Sequence, residues 1–293
     1  MDYGKPPQSV SIFEVGPRDG LQPEPEFIPT EKKVELVNRL TEAGCRRIEV
    51  TSFVPPGWVP QMKDAKEVFS RINKKEGVVY NALIPNMKGL ELAMEAGLRE
   101  VVTIMSSSES HNKKNLNRSV ADSLKEIEEI NKRAAAAGVK VRSYIATSFG
   151  CPMEGPIDPE KVADIAVALE SFGSYEISLG DTTGMASPID AYKIPRLVKD
   201  RLKKAALAVH YHQAQGIEFA NNLASLQAGI TIFDGAAGGL GGCPYAPGAT
   251  GNAATETMVL MFERMGISTG IDIGKIAECG KYAKSLSTLC HMQ

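Results

Sequence analysis

Histidine and tryptophan are scarce in this chain: four of the former and one of the latter among 293 residues. Scarcity makes placement informative, and two of the four histidines stand one residue apart in HYHQAQG (210–216). The five cysteines, Cys45, Cys151, Cys243, Cys279 and Cys290, form no CxxC pair. That spacing argues against a zinc ribbon or a disulfide framework and leaves free thiols in a reducing compartment as the expectation. No segment approaches the ~20 consecutive apolar residues that span a bilayer, so no membrane is expected as a partner. Net charge is only −2, with 33 basic residues spread among 35 acidic ones. Such a surface has no field favouring nucleic acid or anionic lipid, and a small molecule is the expected partner. The opening MDYGKPPQSV lacks the basic and apolar regions of a secretory signal and the arginine-rich character of a transit peptide. The expected location is therefore cytoplasmic.

What the chain does have is alternation. β-branched or apolar runs recur at 9–15, 46–53, 78–84, 100–106, 140–147, 175–180, 206–212 and 230–235. Between them lie segments with helical spacing at 30–44, 86–97, 117–138, 158–173 and 217–229. In the first of these Val34, Val37, Leu40 and Ala43 share one face and Gly44 ends the run, as a residue able to adopt positive φ does. Eight strands alternating with helices imply parallel pairing and a closed (β/α)8 TIM barrel in the α/β class. The competing doubly wound sheet would carry a glycine-rich phosphate turn after its first strand, where this chain has GPRDG. No Pro/Gly/Ser-rich linker divides the sequence, so residues 1–293 are expected to form a single catalytic domain with a short C-terminal helical extension.

A barrel gathers its functional groups where strands end. The first strand runs into GPRDGLQ, the second contains Glu49, the sixth leads into Asp181, the seventh ends in His210 and His212, and the eighth leads into a glycine-rich loop around Cys243. On a strand, His210 and His212 face one side and Tyr211 the other. Two neutral imidazoles at a barrel mouth offer two lone pairs to a divalent cation. By itself HxH also fits one hydrogen-bonded core histidine and one surface histidine. Asp19, on an independent strand-end loop, supplies a carboxylate that favours the metal reading.

GPRDGLQ (16–22), IEVTSFVPPGWVPQ (48–61), SLGDTTG (178–184), HYH (210–212) and GLGGCPYAPGATGNAATE (239–256) resemble the 3-hydroxy-3-methylglutaryl-CoA lyase family. That family sits within a wider group of metal-dependent lyases and Claisen-type synthases on the same barrel. The resemblance implies metal ligands at Asp19, His210, His212 and Asn252. Such a nitrogen and hard-oxygen set suits Mg2+ or Mn2+, while Zn2+ or Co2+ can also occupy it. Asn252 could equally cap the helix that follows it. The implied reaction cleaves a 3-hydroxyacyl-CoA thioester to acetyl-CoA and a keto acid, acetoacetate for the family's own substrate.

By the same resemblance Arg18 is catalytic, stabilising developing negative charge, with a buried ion pair to Glu49 as its structural alternative; Glu49 would orient it. Asp181 or His210 would handle a proton, and Cys243 would protonate the acetyl-CoA enolate from a glycine-rich lid. Gln22, Gln213 and Glu256 would stand behind the ligands. Gln213 occupies a place where the family usually has an acid, so metal affinity, pH optimum or acyl preference can differ. SSSESHNKKNLNRS (106–119) could meet the phosphates of coenzyme A or simply open a solvated helix. Cys279 and Cys290 raise the idea of a homodimer joined under oxidation. A condensing synthase and a catalytically silent metal-binding or scaffold protein are the alternative functions, and the intact catalytic positions favour the lyase.

Overall fold

The computed structural model describes residues 6–241 and 251–288. Its parallel strands are β1 (Ser11–Glu14), β2 (Arg47–Ser52), β3 (Val79–Ile84), β4 (Glu100–Ser106), β5 (Lys140–Ala146), β6 (Glu176–Asp181), β7 (Ala206–Tyr211) and β8 (Ile232–Gly235). They pair in chain order and close when β8 meets β1, with Ile12 opposite Phe233. The helices are α1 (Thr30–Glu42), α2 (Ala65–Arg71), α3 (Met87–Glu95), α4 (Glu109–Leu116), α5 (Val120–Ala136), α6 (Pro159–Phe172), α7 (Pro188–Arg201), α8 (Ile217–Gln227), α9 (Thr255–Arg264) and α10 (Ile273–Leu286). The last is the C-terminal extension, and it packs on α1 and α9. The expected TIM barrel is therefore the fold.

Stability comes chiefly from the layer between strands and helices. Ile48, Val50, Ile84, Val101, Ile177 and Val209 are buried there with Leu36, Leu40, Leu90, Ile130 and Val198 from the helices. Each such side chain contributes roughly 1.5–3 kcal/mol by leaving water, which lets the barrel interior be polar. Inside lies a small apolar set, Phe13, Val15, Leu83, Val102, Tyr144 and Ala236, above a floor of paired charge. Arg47 grips Glu176 with two bonds of 2.8 and 2.9 Å. Arg142, fully buried, reaches Glu176 at 2.6 Å and Asp234 at 2.7 Å. The guanidiniums of Arg142 and Arg47 lie 4.0 and 4.8 Å from the centroid of the Phe13 ring.

The helices depart from the sequence reading in identifiable ways. The helix expected over 117–138 is α5, and a separate short helix, α4, precedes it, divided from it where Asn117 turns left-handed (φ 53°). Helix α7 carries Pro195 in its interior, which removes one backbone donor. The carbonyl that donor would have served, on Ala191, accepts instead from Ser225 Oγ at 2.8 Å. Helix α9 is capped at Ala254 and not at Asn252, so the capping alternative for Asn252 does not hold.

Candidate active site

The GPRDG segment forms one turn of π-helix at the end of β1, a distortion found most often at functional sites. Val15 O accepts from the N–H of Asp19 and of Gly20, and Gly16 O from that of Leu21. Glu14 locks this turn to the segments that follow the neighbouring strand β8: its Oε1 accepts from Gly16 N and Ala237 N at 2.8 and 2.9 Å, and its Oε2 from Thr255 Oγ1 at 2.6 Å. Burial pushes the Glu14 carboxyl up to about 7 despite those donors. Only glycine fits at 16, since a Cβ there would sit 2.5 Å from Glu14 Oε1. The result is that Asp19 is carried over the barrel mouth.

On β7 the period of two turns His210 and His212 to one side, and their Nε2 atoms lie 3.1 Å apart. One ligand atom each from Asp19, His210 and His212 falls within 4.8 Å of the others. Burial opposes the charge on Asp19, but Arg18, His210, His212 and Asn252 outweigh it and hold the carboxyl down at about 2. Asn252 enters because its segment pairs with the end of β7: Ala253 N donates to Tyr211 O and Gln213 N to Gly251 O. The Asn252 amide donates to Asp19 Oδ2 and to Leu240 O, both at 2.8 Å, which fixes its orientation. Its Oδ1 is buried and has no hydrogen-bond partner among the described residues. The two imidazole nitrogens and the carboxylate could hold a divalent cation, with the Asn252 amide oxygen a further oxygen nearby, and no described thiolate joins them.

Arg18 is buried and bonded through Nε to Glu49 Oε1 and through Nη1 to Asp19 Oδ1. Burial acts against its charge, yet Glu49 and Asp19 raise its pKa further, so it is a permanent cation. The ion pair expected as an alternative role is thus present, and Arg18 lines the mouth cavity as well. Ile104, His111, Asn115, Tyr144, Ala146 and Thr182 form the rest of that wall with Gln22, Gly180 and the ligands.

Asp181 stands elsewhere. Alternation on β6 points Gly180 inward and Asp181 away, and its carboxylate accepts from Met185 N and Ala186 N. Burial raises it to about 6, but it closes a turn and does not line the cavity, contrary to a proton-handling role at the substrate. His210 is likewise better suited to ligation than to proton transfer: its Nε2 faces His212 and its Nδ1 lies 3.4 Å from Asp234 Oδ2. Gln213 donates from Nε2 to Gly239 O and Asn252 O, so it braces the Asn252 backbone. Glu256 accepts from Gly238 N, away from the ligands, and secures the turn after β8. Cys243 and Cys290 lie outside the described residues, and Cys279 is buried on α10, its thiol pushed up to about 12 by burial. That position does not suit an exposed intersubunit disulfide.

The residue that sequence reasoning missed is Asp234. It pairs in register with His210, accepts from Ser178 Oγ at 2.9 Å and Arg142 at 2.7 Å, and lies 3.4 Å from the Nδ1 of His210. The signal was available: Asp234 is a charged residue inside an apolar strand.

The HMGL-like family model matches residues 9–282. The chain belongs to the HMGL-like family. The mitochondrial hydroxymethylglutaryl-CoA lyase of Bos taurus is 48% identical over 276 residues, 94% of this chain and 85% of that protein. Among solved structures of family members, the HMG-CoA lyase of Bacillus subtilis superposes with a TM-score of 0.92 at 44% identity, covering 98% of both chains. An HMG-CoA lyase from Acinetobacter baumannii, solved with coenzyme A and 3-methylmalate, gives 0.91 at 38% identity over 95% of this chain and 91% of its own. Among the described residues no helix is long and apolar enough to cross a membrane.

Proposed function

We propose that this chain is a divalent-metal-dependent carbon–carbon lyase that cleaves 3-hydroxy-3-methylglutaryl-CoA between C2 and C3 to acetyl-CoA and acetoacetate. The observation that carries the reading is the convergence of Asp19, His210 and His212, beside the stranded Oδ1 of Asn252, at the mouth of this family's barrel. The relatives named for the reaction support the substrate class. Mg2+ or Mn2+ is the ion we assign, because half of the donors are hard oxygens. A cation held there supplies Lewis acidity toward ionising an alcohol at pH 7, a shift of ~9 pKa units or roughly 12 kcal/mol.

The protein's own groups divide the remaining work. Asp234 orients His210, and Asn252 Nδ2 and Arg18 orient Asp19. As the C3 hydroxyl loses its proton, C3–O becomes the ketone, the C2–C3 bond breaks, and its electron pair moves onto C2 as the thioester enolate. Arg18, kept charged and in place by Glu49, stabilises that negative charge. The enolate then takes a proton at C2, and we assign that acid to Cys243, as the family resemblance implies. We assign the protein to the cytoplasm; the buried, unpaired thiols of Cys45, Cys151 and Cys279 support a reducing compartment.

A thioester screen tests the function. With Mg2+ or Mn2+ the protein is expected to release acetyl-CoA from 3-hydroxy-3-methylglutaryl-CoA or a close relative such as citramalyl-CoA, and chelation is expected to abolish the release. No acetyl-CoA from any 3-hydroxyacyl-CoA would reject the reading. Cys243→Ser is expected to lose most turnover while remaining folded.

A further inference from the structure

Helix α4 brings to the cavity a residue that the lyase chemistry leaves without a task. His111 is 1% exposed and lines the same cavity as Arg18 and the ligands. Its Nε2 is buried with no hydrogen-bond partner among the described residues. Its Nδ1 lies 3.1 Å from Ser106 Oγ, which is itself 2.6 Å from Thr147 Oγ1. When Thr147 Oγ1 donates to Ala146 O, 2.7 Å away, and Ser106 Oγ donates to Thr147, Ser106 Oγ accepts from His111 and the hydrogen sits on Nδ1. Burial lowers the His111 pKa, which keeps the ring neutral. In that tautomer Nε2 is a buried acceptor with no donor among the described residues, on a side chain that lines the cavity.

We propose that His111 Nε2 accepts a hydrogen bond from the pantetheine amide N–H nearest the thioester sulfur of the bound substrate, holding the thioester arm on the β4–β5 side of the cavity. The inference rests on the acyl-CoA reading. Few donors in such a substrate can reach a buried site: the C3 hydroxyl and, two methylenes from the sulfur, the first amide N–H. The hydroxyl belongs with the ligands of β1 and β7, while His111 follows β4, across the barrel from that side. The amide is the donor left, and an unmet acceptor in this wall would disfavour any thioester lacking it.

Two measurements test this. His111→Phe, which keeps a ring but removes the lone pair, is expected to raise KM for 3-hydroxy-3-methylglutaryl-CoA about fivefold with kcat within about twofold, as loss of one uniform binding contact does. His111→Gln, which returns an acceptor, is expected to recover most of the loss. An unchanged KM in the Phe variant, or a loss confined to kcat, would overturn the proposal. The second measurement compares the acyl group on N-acetylcysteamine with its S-(4-oxopentyl) counterpart, in which CH2 replaces the N–H. Wild type should prefer the amide thioester about fivefold and His111→Phe should treat the two alike. Equal rates in wild type, or a preference kept by the variant, would contradict the assignment; if the Phe variant fails to fold, the wild-type comparison decides alone. A wild type that cleaves no 3-hydroxyacyl-CoA at all rejects the lyase reading itself, and this inference with it.

Discussion

The floor and the mouth of this barrel are both lined with buried charge, and the two regions treat it differently. At the floor Arg47, Arg142, Glu176 and Asp234 meet one another at 2.6–2.9 Å, and the one idle nitrogen of Arg142 belongs to a guanidinium stacked on Phe13. At the mouth Asn252 Oδ1, Glu49 Oε2 and His111 Nε2 are buried with no hydrogen-bond partner among the described residues, and two imidazole Nε2 atoms face each other. Burying acceptors without donors costs free energy. A fold that keeps them beside Asp19, Arg18 and the paired histidines is shaped for something that enters there. The difference teaches that charge is matched by charge at the floor, whereas at the mouth unmatched acceptors gather around the paired histidines and Asp19.

Substitutions on the two sides should therefore fail in different assays. At the mouth, His210→Ala or Asp19→Ala is expected to cut kcat/KM for thioester cleavage by ~1,000-fold or more, since a lost Lewis acid forfeits several kcal/mol of transition-state stabilisation. Circular dichroism and thermal melting should stay close to wild type; a folded variant with wild-type turnover would erase the distinction. At the floor, Arg142→Met leaves Asp234 buried without its cation and Glu176 with Arg47 alone, and is expected to cost roughly 3–5 kcal/mol in urea unfolding. An unchanged midpoint would mean those pairs contribute little.

Asp234 belongs to both regions and sharpens the boundary. Asp234→Asn should weaken metal binding roughly 10- to 100-fold, the usual effect of losing a carboxylate behind a ligating histidine. Calorimetry giving an unchanged metal affinity would confine Asp234 to the floor. The most gradual effect is expected at Glu14, whose carboxyl burial raises to about 7 from 4.5. Between these values the folded chain holds a proton that the unfolded chain has released. Its contribution to stability is thus complete below pH 4.5 and lost as pH rises through 7, with a slope of at most ~1.4 kcal/mol per pH unit. Glu14→Gln should remove that slope from the pH dependence of unfolding, and a variant whose curve parallels wild type throughout would contradict it.

Much of this was legible in the sequence because strands of a parallel barrel are buried on both faces and read as apolar runs. Each of the eight runs holds a strand, and Asp19, His210 and His212 come within 4.8 Å of one another while Asn252 donates to Asp19. Elements lacking a strong apolar face escaped: α4, ESHNKKNL, is mostly polar, and α7 carries an interior proline whose compensation by Ser225 is a tertiary event. The differences at the site have a single physical source: strand-end loops show up as motifs, whereas alternation within β6 and β8 decides which charged residues face inward. It turns Asp181 out and Asp234 in.

The central claim is that the lone pairs at the mouth share one divalent cation. Titrating Mn2+ into chelator-stripped protein by isothermal calorimetry tests it most directly. The account predicts one ion per chain in wild type and at least ~10-fold weaker binding in both His212→Ala and Asn252→Ala, each removing a ligand. Failure of the wild type to take up a stoichiometric ion, or equal affinity in all three proteins, would contradict it.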